Sequence, residues 1–328
     1  MLGEFMVIAV GVVVILVLGD IIIRNAMGLA QRFKLSGAFI GLTVLSVGTS
    51  IPEIMTNVVG SIDILARPEN AATVSGLVIG TNIGSVVFQL SFALPIVGLV
   101  GVITVRRHEL AEQVGAVLGA TALLWIFSLG GTVTRLEGLV MLVAYGVYLL
   151  YLAKRNHLVQ QIGLVGNGGR RKTVISILLI MGCFAVLSVV ADQVVAAATR
   201  LVSQLPVSAS FFGVICLGVA STLPELTTSL ISIVRGQKEI AAGILIGSAV
   251  TNPLVGIGLG GLISSYMVPR VVAYYDAPAM ILVAGLLYVF LRRHEDLNKA
   301  EAVALILLYC GYLLLRFVLF PNDIPLAG

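Results

Sequence analysis

Two glutamates, Glu53 and Glu225, stand deep inside long apolar stretches, each about equally distant from the ends of its stretch. A charged side chain at the centre of a bilayer costs ~2.5–3.5 kcal/mol on insertion scales, so such groups face a polar cavity and take a partner. No lysine or arginine stands at matching depth in the flanking stretches. The partner must therefore be a cation, either a proton or a metal ion. With one negative charge each, the pair suits one divalent ion or more than one monovalent ion.

A proline precedes each glutamate, Pro52 and Pro224. Proline removes a backbone donor and disturbs the carbonyl four residues back, here those of Gly48 and Ala220. Distorted backbone at membrane depth is tolerated where protein or a water-filled cavity surrounds it, and a freed carbonyl beside a carboxylate is a ligand for hard cations such as calcium. Helical spacing adds oxygens to the same faces. Around Glu53 stand Thr43, Ser46, Thr49, Ser50, Thr56 and Asn57; around Glu225 stand Ser221, Thr222, Thr228 and Ser229. Thr81, Ser85 and Gln89 follow one another at i, i+4 spacing, as do Ser248 and Asn252. Thiols and imidazoles are missing from this set, which argues against zinc, copper or iron. His108, His157 and His294 fall in expected cytoplasmic loops, and Cys183, Cys216 and Cys310 lie in separate apolar stretches without metal-ligand spacing.

The elements that hold these residues must be membrane helices. Hydrophobic residues make up 59% of the 328 positions, charged residues 11%, and mean hydropathy is +1.08. A soluble domain needs a more charged surface than that. A crossing takes about 20 apolar residues, and ten such spans are expected, roughly at 3–30, 37–64, 71–104, 109–129, 133–153, 173–202, 208–234, 239–267, 275–293 and 299–320. The first continues through Asp20 without a basic leader or small-residue cleavage site, so it reads as a span and not a signal peptide. The glycine-rich, basic segment 154–172 is expected to be a cytoplasmic linker between two five-helix units, 1–153 and 173–328. With that placement fifteen of the 20 lysines and arginines fall on the linker's side, and five, Arg67, Arg135, Arg200, Arg270 and Arg316, fall on the other. The positive-inside rule then puts both termini outside. The basic character is thus a topology signal and not a nucleic-acid surface.

The two units repeat one another. Gly41–Glu53, GLTVLSVGTSIPE, aligns with Gly213–Glu225, GVICLGVASTLPE, at an offset of 172, and Asp20 aligns with Asp192. Gly80–Gln89, GTNIGSVVFQ, aligns with Gly243–Asn252, GILIGSAVTN, at an offset of 163. An odd number of helices per unit makes consecutive copies enter the membrane from opposite sides, giving an inverted repeat. Asp20 has Arg24 one turn away and reads as a structural ion pair.

These paired motifs, GTSIPE with GTNIGS and ASTLPE with GSAVTN, resemble those of the calcium/cation antiporter superfamily, in its sodium/calcium exchanger branch of prokaryotic type. The resemblance implies an all-α integral membrane fold of ten transmembrane helices and calcium and sodium as transported ions in a lipid bilayer. It implies neither cofactor nor enzymatic activity, and it fixes no oligomeric state, a monomer being one possibility. By position it assigns Ser46, Thr49, Ser50, Glu53, Ser85 and Gln89 from the first repeat as ion ligands. From the second it assigns Gly218, Ser221, Thr222, Glu225, Ser248 and Asn252. It further implies that the helices carrying Asp20 and Asp192 slide against the core. The sequence departs from the family pattern in ASTLPE, where GTSxPE is usual, and in Gln89 and Asn252, where asparagine and aspartate are common. Those departures bear on the counter-ion, so proton/calcium exchange or transport of another divalent ion stands as the alternative within transport. A passive channel is the alternative outside it.

Overall fold

In this computed structural model the described residues are 2–33, 35–101, 103, 105, 107–155, 167–202 and 208–320. The chain is helical almost throughout, in α1 (Leu2–Phe33), α2 (Gly37–Thr49), α3 (Ile51–Ala66), α4 (Pro68–Val100) and α5 (Arg107–Ser128). It continues with α6 (Arg135–Arg155), α7 (Asn167–Val202), α8 (Ala209–Val234), α9 (Lys238–Ser264), α10 (Val272–His294) and α11 (Lys299–Leu319). A two-residue antiparallel ribbon joins β1 (Thr132–Val133) to β2 (Tyr266–Met267). Six of these helices, α4, α6, α8, α9, α10 and α11, are long and apolar enough to cross a membrane, and α2 with α3, bent by 44°, forms a seventh such unit. The apolar described parts of α5 and α7, Glu112–Ser128 and Lys172–Leu187, are shorter.

The sequence repeat reappears in the irregularities of the backbone. Ser36 and Ser208 cap α2 and α8 by accepting from the N–H groups of Phe39 and Phe211, at 3.1 and 3.3 Å. One turn later both helices widen into π-turns, Gly41–Leu45 and Gly213–Leu217. Both then break, at Ser50 (φ −81°, ψ 2°) and Thr222 (φ −82°, ψ −3°). α4 and α9 also carry π-turns, Gln89–Ala93 and Asn252–Ile257, which begin on the two amides that the repeat pairs. Such turns recur at functional positions because they displace one residue from the regular ladder.

The prolines act differently from the expected mid-helix kink. Pro52 and Pro224 are the second residues of new helical stretches that start after the breaks, where a missing N–H costs nothing. The carbonyls of Gly48 and Ala220 receive the N–H of the break residue, which each shares with a second carbonyl. The breaks thus sit between the hydroxyl pairs and the glutamates.

The two units exchange partners in the core. α2 packs on α9 with Gly41 against Gly243, where an added Cβ at residue 41 would lie 2.9 Å from the Gly243 Cα. α8 packs on α4 with Gly213 against Gly80, where an added Cβ at residue 213 would lie 3.2 Å from the Gly80 carbonyl carbon. Small residues let membrane helices approach to backbone contact, and each contact maps onto the other through the offsets of 172 and 163. Of the apolar stretch of α9, 94% is buried, against 22% for α6. α9 is therefore a central post and α6 faces outward. α1 and α7 lie along one another beside this core.

Several expectations need correction. The helix α6 runs through Lys154 and Arg155, and α7 already begins at Asn167, so the linker's ends are helical, while 156–166 lie outside the described residues. The span expected at 239–267 ends at Ser264, because the chain turns into β2. Arg316, within the span expected at 299–320 and counted among the charges opposite the linker, lies in the last turn of α11, fully buried, and its guanidinium pairs with Asp276 at 3.2 Å.

Candidate cation site

Glu53 and Glu225 open the helical stretches that follow the two breaks. A helix start offers unpaired N–H groups and a partial positive charge, which eases the burial of a carboxylate there. Both side chains are enclosed, with 1% and 0% of their surface exposed. They lie close enough for their charges to repel one another. The Glu225 Oε1 accepts from Ser50 Oγ at 3.3 Å and from Ser248 Oγ at 3.5 Å, so the carboxylate of one unit is held by hydroxyls of α9 and of the opposite unit's break. Its Oε2 is buried with no hydrogen-bond partner among the described residues.

The remaining expected ligands fall into two groups. Ser46 adds its carbonyl, which accepts from Ser248 Oγ at 3.4 Å, while its own hydroxyl turns back on Leu42 O at 2.7 Å. Ser85 and Asn252 meet directly, Asn252 Nδ2 donating to Ser85 Oγ at 3.2 Å. Gln89 is wholly buried, and neither end of its amide has a hydrogen-bond partner among the described residues. Of these residues, Ser46 is linked to Glu225 through the shared Ser248 hydroxyl. A second group bonds back to its own helix, although Thr49 also lies against the Glu225 carboxylate. Thr49 Oγ1 donates to Leu45 O at 3.0 Å, Thr222 Oγ1 to Gly218 O at 2.6 Å, and Ser221 Oγ to the same carbonyl at 3.4 Å. The Gly218 carbonyl is thereby occupied, and Gly218 serves instead as a contact surface for α4, against Gly84 and the backbone of Ser85. A hydroxyl that donates to a carbonyl keeps its lone pairs, so the threonines still offer acceptors to an ion.

The donor set is hard oxygen throughout, and no group of three or more His, Cys, Asp or Glu side chains gathers anywhere among the described residues. That composition fits calcium or sodium and not a thiophilic metal. The site is walled on one side by Phe184 of α7, whose ring leaves no room for a Cβ at Gly48. Behind that wall a crevice of about 680 Å³ runs between α1, α2, α6 and α7, lined by Leu29, Phe39, Val47 and Ile177 among others, and it is almost wholly apolar.

Asp20 pairs with Arg24 at 2.8 Å, as its spacing implies, and also with Arg235 at the end of α8. The side chain of Asp192 lies outside the described set. Two features escape a reading of the sequence. Asn82 stands in the quoted GTNIGS motif without a role, yet its Nδ2 donates to Asn252 O at 2.8 Å. Asp276, Arg316, Tyr312 and Ser210 form a buried polar cluster whose signal was an acid and a base each inside an apolar span.

The family model described as "Sodium/calcium exchanger protein" matches residues 4–154 and 175–318. A putative antiporter, CaxA of Alkalimonas amylolytica, is 25% identical over 320 residues, which cover 94% of this chain and 97% of that protein. The sodium/calcium exchanger MaX1 of Methanosarcina acetivorans is 22% identical, with 96% and 98% covered. Among solved structures, the sodium-calcium exchanger NCX_Mj soaked with 10 mM Na+ and zero Ca2+ shares the fold, with a TM-score of 0.77 over 96% of this chain and 98% of that one, at 19% identity.

Proposed function

Because the chain belongs to the sodium/calcium exchanger protein family, a family of multi-pass membrane transporters, we propose that it exchanges sodium for calcium by alternating access, with both ions bound near the bilayer midplane between Glu53 and Glu225. The observation that carries this reading is the pair of enclosed carboxylates, of which Glu225 accepts from Ser248 of its own unit and from Ser50 of the other. Two charges and a surround of neutral oxygens match one calcium ion, and the same oxygens, shared out, serve sodium. The ions then compete for overlapping seats, and occupancy decides which conformations interconvert.

In this reading the chain crosses the membrane ten times as two inverted five-helix units joined by a cytoplasmic segment between α6 and α7, with both termini outside. The exchange of packing partners at Gly41–Gly243 and Gly213–Gly80 supports the two-fold relation. The moving part is the α1–α7 pair, which lies along the core and touches it at the Phe184–Gly48 contact.

Proteoliposomes test the proposal. Calcium uptake driven by an outward sodium gradient is expected, and a pH gradient of equal size is expected to drive little; the reverse result assigns proton/calcium exchange, and calcium flux that needs no counter-ion assigns a channel. Glu53→Gln and Glu225→Gln, each with normal chromatographic behaviour, are expected to abolish uptake. Retained exchange in either variant removes the glutamate pair from the mechanism.

A further inference from the structure

Gly48 opens the GTSIPE motif two residues before Ser50, and the ring of Phe184 on α7 lies where a side chain at residue 48 would be. A Cβ added there would fall inside the ring's Cε2 and Cζ. The ring is buried, at 4% exposure. It rests against the residue whose carbonyl receives the Ser50 N–H, and the Ser50 hydroxyl in turn donates to Glu225 at 3.3 Å. Two contacts, ring to break and break to carboxylate, therefore join α7 to the ion site.

The second unit lacks this fit. Through the offset of 172, Gly48 corresponds to Ala220 and Phe184 to Val12. A methyl group stands where the ring would seat, and the residue offset from Phe184 carries no ring. The departure of ASTLPE from the GTSxPE pattern thus removes the notch from one unit only. Phe184 also has somewhere to go. It lines the crevice of about 680 Å³ between α1, α2, α6 and α7, together with Val44, Val47 and Ile177, whereas a cavity of about 150 Å³ is enough to hold a benzene ring. The crevice extends to Phe33 and Ala153, at the ends of α1 and α6 that lie on the linker's side.

We infer that Phe184 is a one-sided latch. Seated in the Gly48 notch, its ring holds α7 against the break and closes the ion site toward the linker's side; withdrawn into the crevice, it releases that side to open. Phe184 is a positioning residue, acting on the ions through Ser50. The inference rests on the alternating-access reading. Because the second unit has no matching ring and notch, release has a direction. It raises the population open to the linker's side and lowers the population open to the other. Apparent affinity at each face follows the population competent to bind there, so the two faces shift in opposite senses.

Calcium–calcium exchange, which needs no sodium gradient, is measured in right-side-out and inverted membrane vesicles to give an apparent KM at each face. Phe184→Ala is expected to lower KM at the linker's face and raise it at the other, changing their ratio by roughly fivefold or more. Gly48→Ala, which puts the second unit's methyl into the notch, is expected to shift the ratio the same way. The double variant is expected to go no further than the larger single shift, since both changes remove one contact. A ring that only fills space would lower the yield of folded protein and leave the ratio alone. Phe184→Leu, which keeps most of the apolar volume, is expected to give a smaller shift of the same sign, and it decides if the alanine variants fail to fold. Deuterium exchange in detergent gives a readout free of transport: amides between residues 46 and 54 are expected to exchange severalfold faster in Phe184→Ala and Phe184→Leu, with those of α9 unchanged. A KM ratio that stays put in every variant, or an unchanged exchange rate over 46–54, overturns the latch. If unmodified vesicles exchange no calcium, the antiport reading fails, and the deuterium measurement alone decides the latch.

Discussion

Beyond Glu53 the helix stays polar for two more turns, through Asn57 and Ser61, both buried. Beyond Glu225 the equivalent positions are Ser229 and Ile233. The neighbours diverge in the same sense: Asn82 and Tyr266 on the first side correspond, through the offset of 163, to Leu245 and Ile103 on the second, and all four are buried. On the second side Ile233 packs into Gly101, where a Cβ would lie 2.6 Å from its Cγ2. A two-fold site thus opens onto a seam of hydrogen bonds in one direction and a dry apolar plug in the other.

A second layer repeats the contrast. In the second unit Asp276 and Arg316 pair with both side chains at 0% exposure, and Tyr312 Oη, Arg316 Nη2 and Ser210 Oγ complete the cluster at 2.8 Å separations. In the first unit, two residues from the strict equivalent, Arg155 pairs with Glu112, at 37% and 9% exposure. A small polar pocket of about 150 Å³ opens beside it, between Ser36, Glu109 and Gln113. One end of the molecule is bolted by a desolvated ion pair, and the other by a wet one. The largest effect follows from that difference. Asp276→Asn removes the charge that balances a buried guanidinium, and removing one partner of such a pair costs about 3–5 kcal/mol. A large drop in the thermal midpoint of the detergent-solubilised protein is expected, with much of it recovered in Asp276→Leu/Arg316→Met. A midpoint shift no larger than that of a surface substitution would erase the contrast between the two ends.

How much of this was legible in the sequence follows from what one dimension can show. A charge inside an apolar run is visible without any structure, so Glu53, Glu225 and the repeat that pairs them read directly, and Asp20 with Arg24 reads from helical spacing. The burial of Arg316 was not legible because a basic residue near the end of a span looks the same whether it faces water or an acid 40 positions earlier in the chain. Asn82 was passed over because its role comes from α9, which the sequence does not place beside it. The commitment of Thr49, Ser221 and Thr222 to backbone carbonyls was equally hidden, since composition reports that an oxygen exists and not where its proton points. The π-turns that start on Gln89 and Asn252 are outcomes of packing and leave no local signature of their own.

The hydrogen-bonded seam gives the intermediate effect. Tyr266 Oη bridges Ser61 and Asn57 O, and Tyr266→Phe removes both bonds while keeping the ring. A loss of about 1–2 kcal/mol is expected from the thermal midpoint, the worth of the bonds with a carbonyl left short of its donor. The matching change across the two-fold, Ile103→Val, trims a plug with no polar bond to lose and is expected to cost about 0.5–1.5 kcal/mol. Salt and pH should leave both unchanged. If the tyrosine variant were fully stable, the seam would be incidental to the closed state.

The smallest effect belongs to the wet end. Arg155 is more than a third exposed, and ion pairs with such access to water contribute about 0–1 kcal/mol, because solvent and salt already screen most of the attraction. Arg155→Gln is therefore expected to shift the thermal midpoint little, and any shift should shrink between low and high salt. The same substitution leaves Glu112 with the Tyr151 hydroxyl at 3.4 Å, so the pocket gains negative character, but water reaches it and supplies the compensation. A loss comparable to that of Asp276→Asn, persisting in high salt, would show that the Arg155 pair is shielded as deeply as its counterpart. The asymmetry would then reside only in the Asn57–Tyr266 seam and the Ile233 plug.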